Sequence, residues 1–421
     1  MFGGGEMERV VLHSDANSFY ASVECLYHPE IRNKPVAVSG DPQARHGIIL
    51  TKNQLAKKYG VQTGEAIWQA KQKCPQLVCV KPDYPLYIRF SQKMQKIYES
   101  YSDRIEAFGL DESWIDLTNR GTTIRDGERI AHEIRMRVQE ELGITVSVGV
   151  SYNKIFAKLG SDLKKPNAVS VISSNSFRDV VWPLPVGDLL YVGPRTQKKL
   201  AEVNIHTIGE LANLDTRYLQ SKFGKNGLML KCFANGLDRS PVTKTDWRRP
   251  IASVGNSMTP PHDLNDMEDV RCLVYLLAES VAQRLRADGF RARCITVHAR
   301  DVDLVTNSRQ MTIKRPTNLT SEIAKTALAL FDSRFAKGFP YRSMGISCSH
   351  LVTEAYPVQL DFLGNEEKRL AMERLEMTAD DLKRRYGNQI LRRAVILTDK
   401  SFAGLCPIDD NTVHPVAFYA G

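Results

Sequence analysis

Three carboxylates stand where strand-like runs end. Asp15 follows the apolar run Arg9 to Ser14, in His13-Ser14-Asp15-Ala16-Asn17-Ser18-Phe19-Tyr20. Asp111 and Glu112 are adjacent in Leu110-Asp111-Glu112-Ser113, at a tight connection between the runs Ile105 to Phe108 and Ser113 to Leu117. Carboxylates at strand ends of one sheet can converge on a point, and a converged cluster repels itself unless cations neutralise it. Oxygen ligands favour Mg²⁺, which also takes phosphate oxygens as co-ligands. Two such ions about 3.5–4 Å apart stabilise the attacking and leaving oxygens of a phosphoryl displacement. By themselves the same residues also fit plainer duties. An Asp-Glu pair is often a solvated corner, and Asp15 could cap a helix starting near Ser18.

The elements around these residues read as α/β. After the first strand, Ser18 to Leu26 has helical spacing, and Pro35 to Ser39, Ile48 to Thr51 and Leu77 to Val80 read as strands. Short helices are expected at Asn53 to Tyr59 and Glu65 to Lys73, set off by Gly60 and Gly64. Tyr84 to Asp103 is a long amphipathic helix. Ile124 to Leu142 is helical, Thr145 to Ser151 a strand, Asn153 to Leu163 a helix and Ala168 to Ile172 a strand. This strand–helix–strand–strand–helix–strand order predicts a ferredoxin-like core with an insertion after the first helix. Ser173 to Leu237 reads as purely helical, Asp238 to Pro250 as a basic, Pro-containing linker, and Ile251 to Leu351 as a second α/β domain. A charged helical stretch, Glu366 to Tyr386, stands in the tail.

Asp15-Ala16-Asn17-Ser18-Phe19-Tyr20-Ala21-Ser22-Val23-Glu24 resembles the first catalytic segment of the Y-family DNA polymerases, and Leu110-Asp111-Glu112-Ser113-Trp114-Ile115-Asp116 their second. Ser147-Val148-Gly149-Val150-Ser151-Tyr152-Asn153-Lys154, with Ala157-Lys158 and Lys164-Lys165-Pro166-Asn167, is similar to a third. Cys74-Pro75, Pro82-Asp83-Tyr84 and Tyr87 resemble the family's fingers-to-palm passage. The resemblance implies a multidomain α/β chain: a ferredoxin-like palm (1–18 and 83–172) with inserted fingers (19–82), a helical thumb (173–240), a linker (241–250), an α/β little finger (251–355) and a tail (356–421). It implies low-fidelity, DNA-directed DNA synthesis of the translesion kind, with two Mg²⁺ ions per active site held by Asp15, Asp111 and Glu112. The Ala16 carbonyl could add a ligand. Phe19, Tyr20, Gln54, Lys57 and Lys165 would meet the nucleotide, Tyr20 as a steric gate against the 2′-hydroxyl and Lys165 on the triphosphate. Small residues such as Gly47 and Ala56 would leave the templating base loosely covered. Four positions depart from the family's usual pattern: Asn17 stands for aspartate, Gln54 and Lys57 for tyrosine and arginine, and Gly109 for serine. Lysine offers a point charge where arginine makes a bidentate contact.

Tyr191-Val192-Gly193-Pro194-Arg195-Thr196, with Lys198-Lys199-Leu200 and Ile205-His206-Thr207-Ile208-Gly209, resembles a helix–hairpin–helix, in which backbone N–H groups meet a DNA phosphate without reading sequence. Gly193 and Lys198 are the expected contacts. Arg284, Arg286, Arg291, Arg293, Arg300, Lys314 and Arg315 make the second α/β domain basic, and Arg291 and Arg293 are expected on the duplex. Pro357-Val358-Gln359-Leu360-Asp361-Phe362-Leu363 resembles a sliding-clamp docking motif, with Gln359, Leu360 and Phe362 as anchors.

Composition agrees with these partners. Of 421 residues 43% are hydrophobic, so several cored domains are expected, and the net charge of +9 favours a polyanionic partner. The eight cysteines form no C-x-x-C pair and read as reduced thiols. No run approaches a membrane span, and the first eight residues carry no apolar signal core, so a cytoplasmic monomer acting on primer–template DNA and dNTPs is expected. Two other functions share parts of the pattern. A nucleotidyl cyclase uses a similar sheet and carboxylates but needs no duplex grip. A non-catalytic DNA-binding or clamp-tethered module would not need all three carboxylates intact.

Overall fold

The computed structural model describes residues 9–41, 47–118, 122–247, 250–335, 338–353, 355–357 and 365–409. The chain opens with β1 (Val11–Ala16) and α1 (Phe19–Tyr27). The expected strand thus slides two residues toward Asp15, because pairing on both sides carries the polar residues along: Asp15 lies opposite Glu112 on one neighbour and Ser147 on the other.

The insertion follows as β2 (Val36–Ser39), β3 (Ile49–Lys52), α2 (Gln54–Lys58), α3 (Ile67–Lys73) and β4 (Val78–Val80). β2 lies between antiparallel β3 and parallel β4. Ala37, Ile49, Ala56, Val61, Ile67, Ala70, Cys74 and Leu77 give this unit its own core. Ala56 is wholly inside that core, and a Cβ on Gly47 would lie 2.5 Å from the Asp41 carbonyl. Both small residues serve the packing of this unit.

The chain returns through α4 (Tyr84–Glu99), β5 (Ile105–Ala107), β6 (Glu112–Asp116), α5 (Ile124–Leu142), β7 (Val146–Ser151), α6 (Lys154–Leu163) and β8 (Val169–Ile172). The sheet order is β5-β6-β1-β7-β8. Its first four strands have the ferredoxin-like arrangement, and β8 extends it in parallel with β7. Val10, Leu12, Phe90, Met94, Ile134 and Val138 bury one face under α4 and α5. On the other face α6 lies close to β7. A Cβ on Gly149 would stand 2.0 Å from the Ala157 carbonyl, and one on Gly160 would stand 3.1 Å from the Gly149 Cα. Only a glycine pair permits this approach, which sets the height of α6 above the strand ends.

α7 (Phe177–Val181), α8 (Pro194–Ala201), α9 (Ile208–Asn213) and α10 (Thr216–Ala234) form the helical unit, with a break in α10 at Gly224 (φ 60°). Its core shares Ile155, Phe156 and Leu159 with α6. The stretch read as a linker is not a free tether. Val242 is buried with Val11, Trp114 and Ala157, the Thr243 amide donates to Glu106, and the Thr245 amide donates to the Asp103 carbonyl.

The second α/β unit comprises β9 (Ser253–Met258), α11 (Met267–Ala287), β10 (Phe290–Asp301), β11 (Thr306–Thr317), α12 (Thr320–Arg334) and β12 (Tyr341–Thr353), in sheet order β11-β10-β12-β9. Ile396 and Phe402, from the segment read as tail, are fully buried in its core. α13 (Asn365–Tyr386) and α14 (Lys400–Ala403) complete the described chain. Among the described residues no helix is long and apolar enough to cross a membrane, and all eight cysteines are free.

Candidate active site and nucleic-acid interface

Strand register brings Asp15 and Glu112 face to face on β1 and β6. α6 supplies the cation between them. Lys158 Nζ lies 3.1 Å from Asp15 Oδ2, 3.0 Å from Glu112 Oε2 and 3.3 Å from Asp162 Oδ2. Lys165, just beyond the helix, reaches Asp15 Oδ2 at 2.7 Å and Asp162 Oδ1 at 2.8 Å. Burial works against the Lys158 charge, yet Asp15, Glu112 and Asp162 together hold its pKa above the ordinary lysine value. Asp111 is adjacent: its carbonyl accepts from the Ala16 amide at 3.0 Å. Burial, then Glu112, then Asp15, push the Asp111 carboxyl up to about 7. The same three carboxylates singled out in the sequence thus crowd each other's charge, and only partly neutralised. An all-oxygen cluster short of positive charge suits hard divalent cations. Ala16 is placed at the end of β1, paired with Val146.

Asn17 explains its own departure from aspartate. Its Nδ2 donates to Ser147 Oγ at 2.9 Å, while Oδ1 accepts from Thr145 Oγ1 at 3.1 Å and from the Asn167 amide at 2.8 Å. The side chain ties β1 to β7 and to the loop that carries Lys165, and as an amide it does so without adding a fourth charge beside Asp15, Asp111 and Glu112. A Cβ on Gly109 would come within 3.2 Å of Asp111 Oδ1, so any side chain there would press on that carboxylate. His13 was not foreseen. It is fully buried, with Nδ1 2.9 Å from Ser161 Oγ, Nε2 3.5 Å from Glu112 Oε2, and its ring edge-on to Trp114.

Tyr20 is half-buried and stacks flat on Tyr87, with ring centroids 4.3 Å apart and planes 11° apart. The Tyr87 hydroxyl donates to Glu24, which locks the plate underneath. Burial first and the Asp111 charge second raise the Tyr20 phenol. The Phe19 side chain is buried in the palm core, its ring centroid 5.6 Å from that of Tyr20. Gln54 and Lys57 are exposed on α2. Lys52 stands at the end of β3, its Nζ donating to Thr63 Oγ1 at 3.0 Å. Burial and the charge of Lys57 lower its pKa, so these two fingers cations share one neighbourhood.

Gly193 is the N-cap of α8, with open space where a Cβ would be, and Lys198 is exposed in the last turn of that helix. Arg291 is paired with Glu373 at 2.8 Å and Arg286 with Glu376 and Asp380, both on α13, and Arg284 donates to the Gly255 carbonyl. These side chains are engaged within the protein. Arg293 lies over the Tyr356 ring and donates to its hydroxyl at 3.1 Å. α13 docks through an ionic stripe, Arg369, Glu373, Glu376, Asp380 and Lys383, at helical spacing, while Leu375, Met377 and Tyr386 face outward. Gln359, Leu360 and Phe362 lie outside the described residues. Far from the palm, His262, Asp269 and Asp399 come within 4.8 Å of one another and pin the segment around α14 to α11.

A sheet that gathers carboxylates at paired strand ends under a lysine-bearing helix defines a palm-type nucleotidyl-transfer domain. Family models narrow this class. Residues 14–162 match the impB/mucB/samB family, residues 251–362 that family's C-terminal domain, and residues 187–238 the DNA polymerase-iota thumb domain. The chain is 49% identical to DNA polymerase IV of Acetivibrio thermocellus, over 94% of this chain and 99% of that one. It is 38% identical to DNA polymerase IV 1 of Bacillus subtilis, over 92% and 93% respectively. Among solved structures, a Y-family DNA polymerase chimera superposes with a TM-score of 0.73 at 25% identity, over 82% of this chain and 99% of that one. DinB from Sulfolobus solfataricus superposes with a TM-score of 0.54, also at 25% identity, over 81% and 98%. The chain belongs to the Y family of DNA polymerases.

Proposed function

We propose that the chain is a low-fidelity, DNA-directed DNA polymerase of translesion synthesis and repair. The observation that carries this reading is the Asp15–Glu112 cross-strand pair, with Asp111 beside it and Lys158 and Lys165 set into it. In the proposed reaction the primer 3′-oxygen attacks the α-phosphate of a paired dNTP and pyrophosphate leaves. Asp15, Asp111 and Glu112 would hold two Mg²⁺ ions, whose chemistry is Lewis-acid stabilisation of the attacking and leaving oxygens. Lys165 exchanges its Asp15 partner for a phosphate oxygen when the triphosphate arrives, and Lys158 keeps the carboxylates compact. Tyr20, braced on Tyr87, lies under the sugar. The expected division into palm, fingers, thumb, linker, little finger and tail is kept, with Ile396 and Phe402 assigned to the little finger. Gly193 and Lys198 meet template or primer phosphates, and Gln359, Leu360 and Phe362 dock a sliding clamp. The enzyme acts as a cytoplasmic monomer.

The test is extension of a labelled primer with Mg²⁺ and four dNTPs, comparing the chain with Asp111→Ala. Extension by the unmodified chain alone is expected. Extension by both would remove Asp111 from the site. Cyclic product from nucleotide without DNA would favour a cyclase, a reading opposed by the thumb-domain match.

A further inference from the structure

His13 has a polar atom that the fold alone does not account for. Alternation along β1 sends Val11, His13 and Asp15 to one face. Val11 packs on Trp114 and Ala157, and Asp15 joins the carboxylates. His13, between them, is fully buried against the edge of Trp114, with ring centroids 5.2 Å apart. Its Nδ1 meets Ser161 Oγ at 2.9 Å, while Nε2 has no hydrogen-bond partner and faces Glu112 Oε2 at 3.5 Å. A purely apolar side chain would fill this space without the ~1–3 kcal/mol cost of an unpaired buried nitrogen.

Ser161 decides what Nε2 presents. Its single hydroxyl proton can go to the Lys158 carbonyl, 2.7 Å away, or to His13 Nδ1. In the first case Nδ1–H donates to Ser161, and the Nε2 lone pair opposes a carboxylate oxygen. In the second, Ser161 donates to Nδ1, and Nε2–H points at Glu112. Only the second arrangement is attractive at both ends of the ring. We infer that His13 is a positioning residue: it stands behind Glu112 and donates Nε2–H to Oε2, fixing the carboxylate as it leaves Lys158 for a bound cation. This inference rests on the metal-site reading given above. A partner of this kind typically changes metal affinity about 10–100-fold.

The test measures Mn²⁺ binding by electron paramagnetic resonance, on the full chain with dideoxy-terminated primer–template and the paired dNTP. His13→Phe, which keeps a ring against Trp114, should weaken Mn²⁺ binding about tenfold. His13→Gln, which returns an amide N–H near Nε2, should restore most of it, and primer–template affinity should be the same in all three. Unchanged Mn²⁺ binding in His13→Phe would overturn the inference, as would equal weakening by Phe and Gln, which would mean packing alone. A nitrogen nucleus directly coupled to Mn²⁺ in the unmodified chain and lost in His13→Phe would also overturn it, since the ring would then be a ligand. If His13→Phe does not fold, His13→Leu replaces it, read against His13→Gln in the same way: weaker Mn²⁺ binding restored by Gln supports the inference, and unchanged binding overturns it. Failure of the unmodified chain to bind Mn²⁺ in this complex would remove the metal-site reading itself, separately from the role of His13.

Discussion

Lys165 Nζ stands 2.7 Å from Asp15 Oδ2, so the cation assigned to the triphosphate rests on a carboxylate assigned to the metal. Each incoming charge therefore releases the other's partner. Lys165→Ala should remove one charge-assisted hydrogen bond to phosphate, about 1.5–3 kcal/mol, which is roughly a 10–100-fold loss in kcat/KM for dNTP. Steady-state kinetics should put most of the loss in KM, with primer–template affinity unchanged. A loss of DNA affinity instead would move Lys165 from the nucleotide to the duplex.

Lys158 touches three carboxylates and is buried with them. Lys158→Met leaves that cluster without its central cation. The variant should melt at lower temperature than the unmodified chain in chelator, and added Mg²⁺ or Mn²⁺ should recover more of the melting temperature than it does in the unmodified chain. Equal metal responses in the two proteins would contradict the view that lysine and metal neutralise the same charges.

The Tyr20 ring is held flat by Tyr87, while Phe19 is withdrawn into the core. Tyr20→Ala should raise the kcat/KM ratio of ribonucleotide to deoxynucleotide by at least about tenfold, since removing the plate removes a clash worth more than 1.4 kcal/mol. Tyr20→Phe keeps the plate and should stay near the unmodified ratio. If Phe and Ala behaved alike, the hydroxyl rather than the ring would be the gate.

Much of the fold was legible. Strand alternation, the helical runs and the carboxylate positions follow from periodicity and turn residues. What was not legible depends on approach between distant segments. The central place of Lys158 requires α6 to lie almost on β7, and that follows from Gly149 meeting Gly160, a contact no local pattern announces. Glu366 to Tyr386 reads as a charged helical stretch of the tail, and which of its charges are buried is not legible, because the matching charges of Glu279, Arg286, Arg291 and Glu322 come from other elements.

Arg286 bridges Glu376 and Asp380 with its own side chain only 5% exposed. Removing one partner of a buried ion pair typically costs about 3–5 kcal/mol, because the other charges stay buried. Arg286→Met should lower the denaturant stability of the little finger by that order, and hydrogen exchange of α13 should accelerate. A loss below about 1 kcal/mol, the range of exposed pairs, would mean that α13 leaves the surface freely.

His262 is raised above the ordinary histidine value by the Asp263 carbonyl first, then by Asp269 and Asp399, with burial opposing. Ser401 also meets its Nε2 at 3.0 Å. A raised imidazole stabilises the folded state fully below its unfolded value, near about 6.5, and that contribution fades as pH rises through the folded value. Hydrogen exchange of residues 394–406 should therefore be slower at about pH 6 than at about pH 9, once intrinsic rates are divided out. His262→Gln should flatten the difference; a difference that survives the substitution would place the titrating group elsewhere.

The most direct measurement is the position of Mn²⁺, by anomalous scattering, in a crystal of the chain with dideoxy-terminated primer–template and the paired dNTP. The account predicts Mn²⁺ between Asp15, Asp111, Glu112 and the triphosphate, with the Lys165 ammonium turned from Asp15 to phosphate. Mn²⁺ absent from those carboxylates, or found only at His262, Asp269 and Asp399, would contradict it.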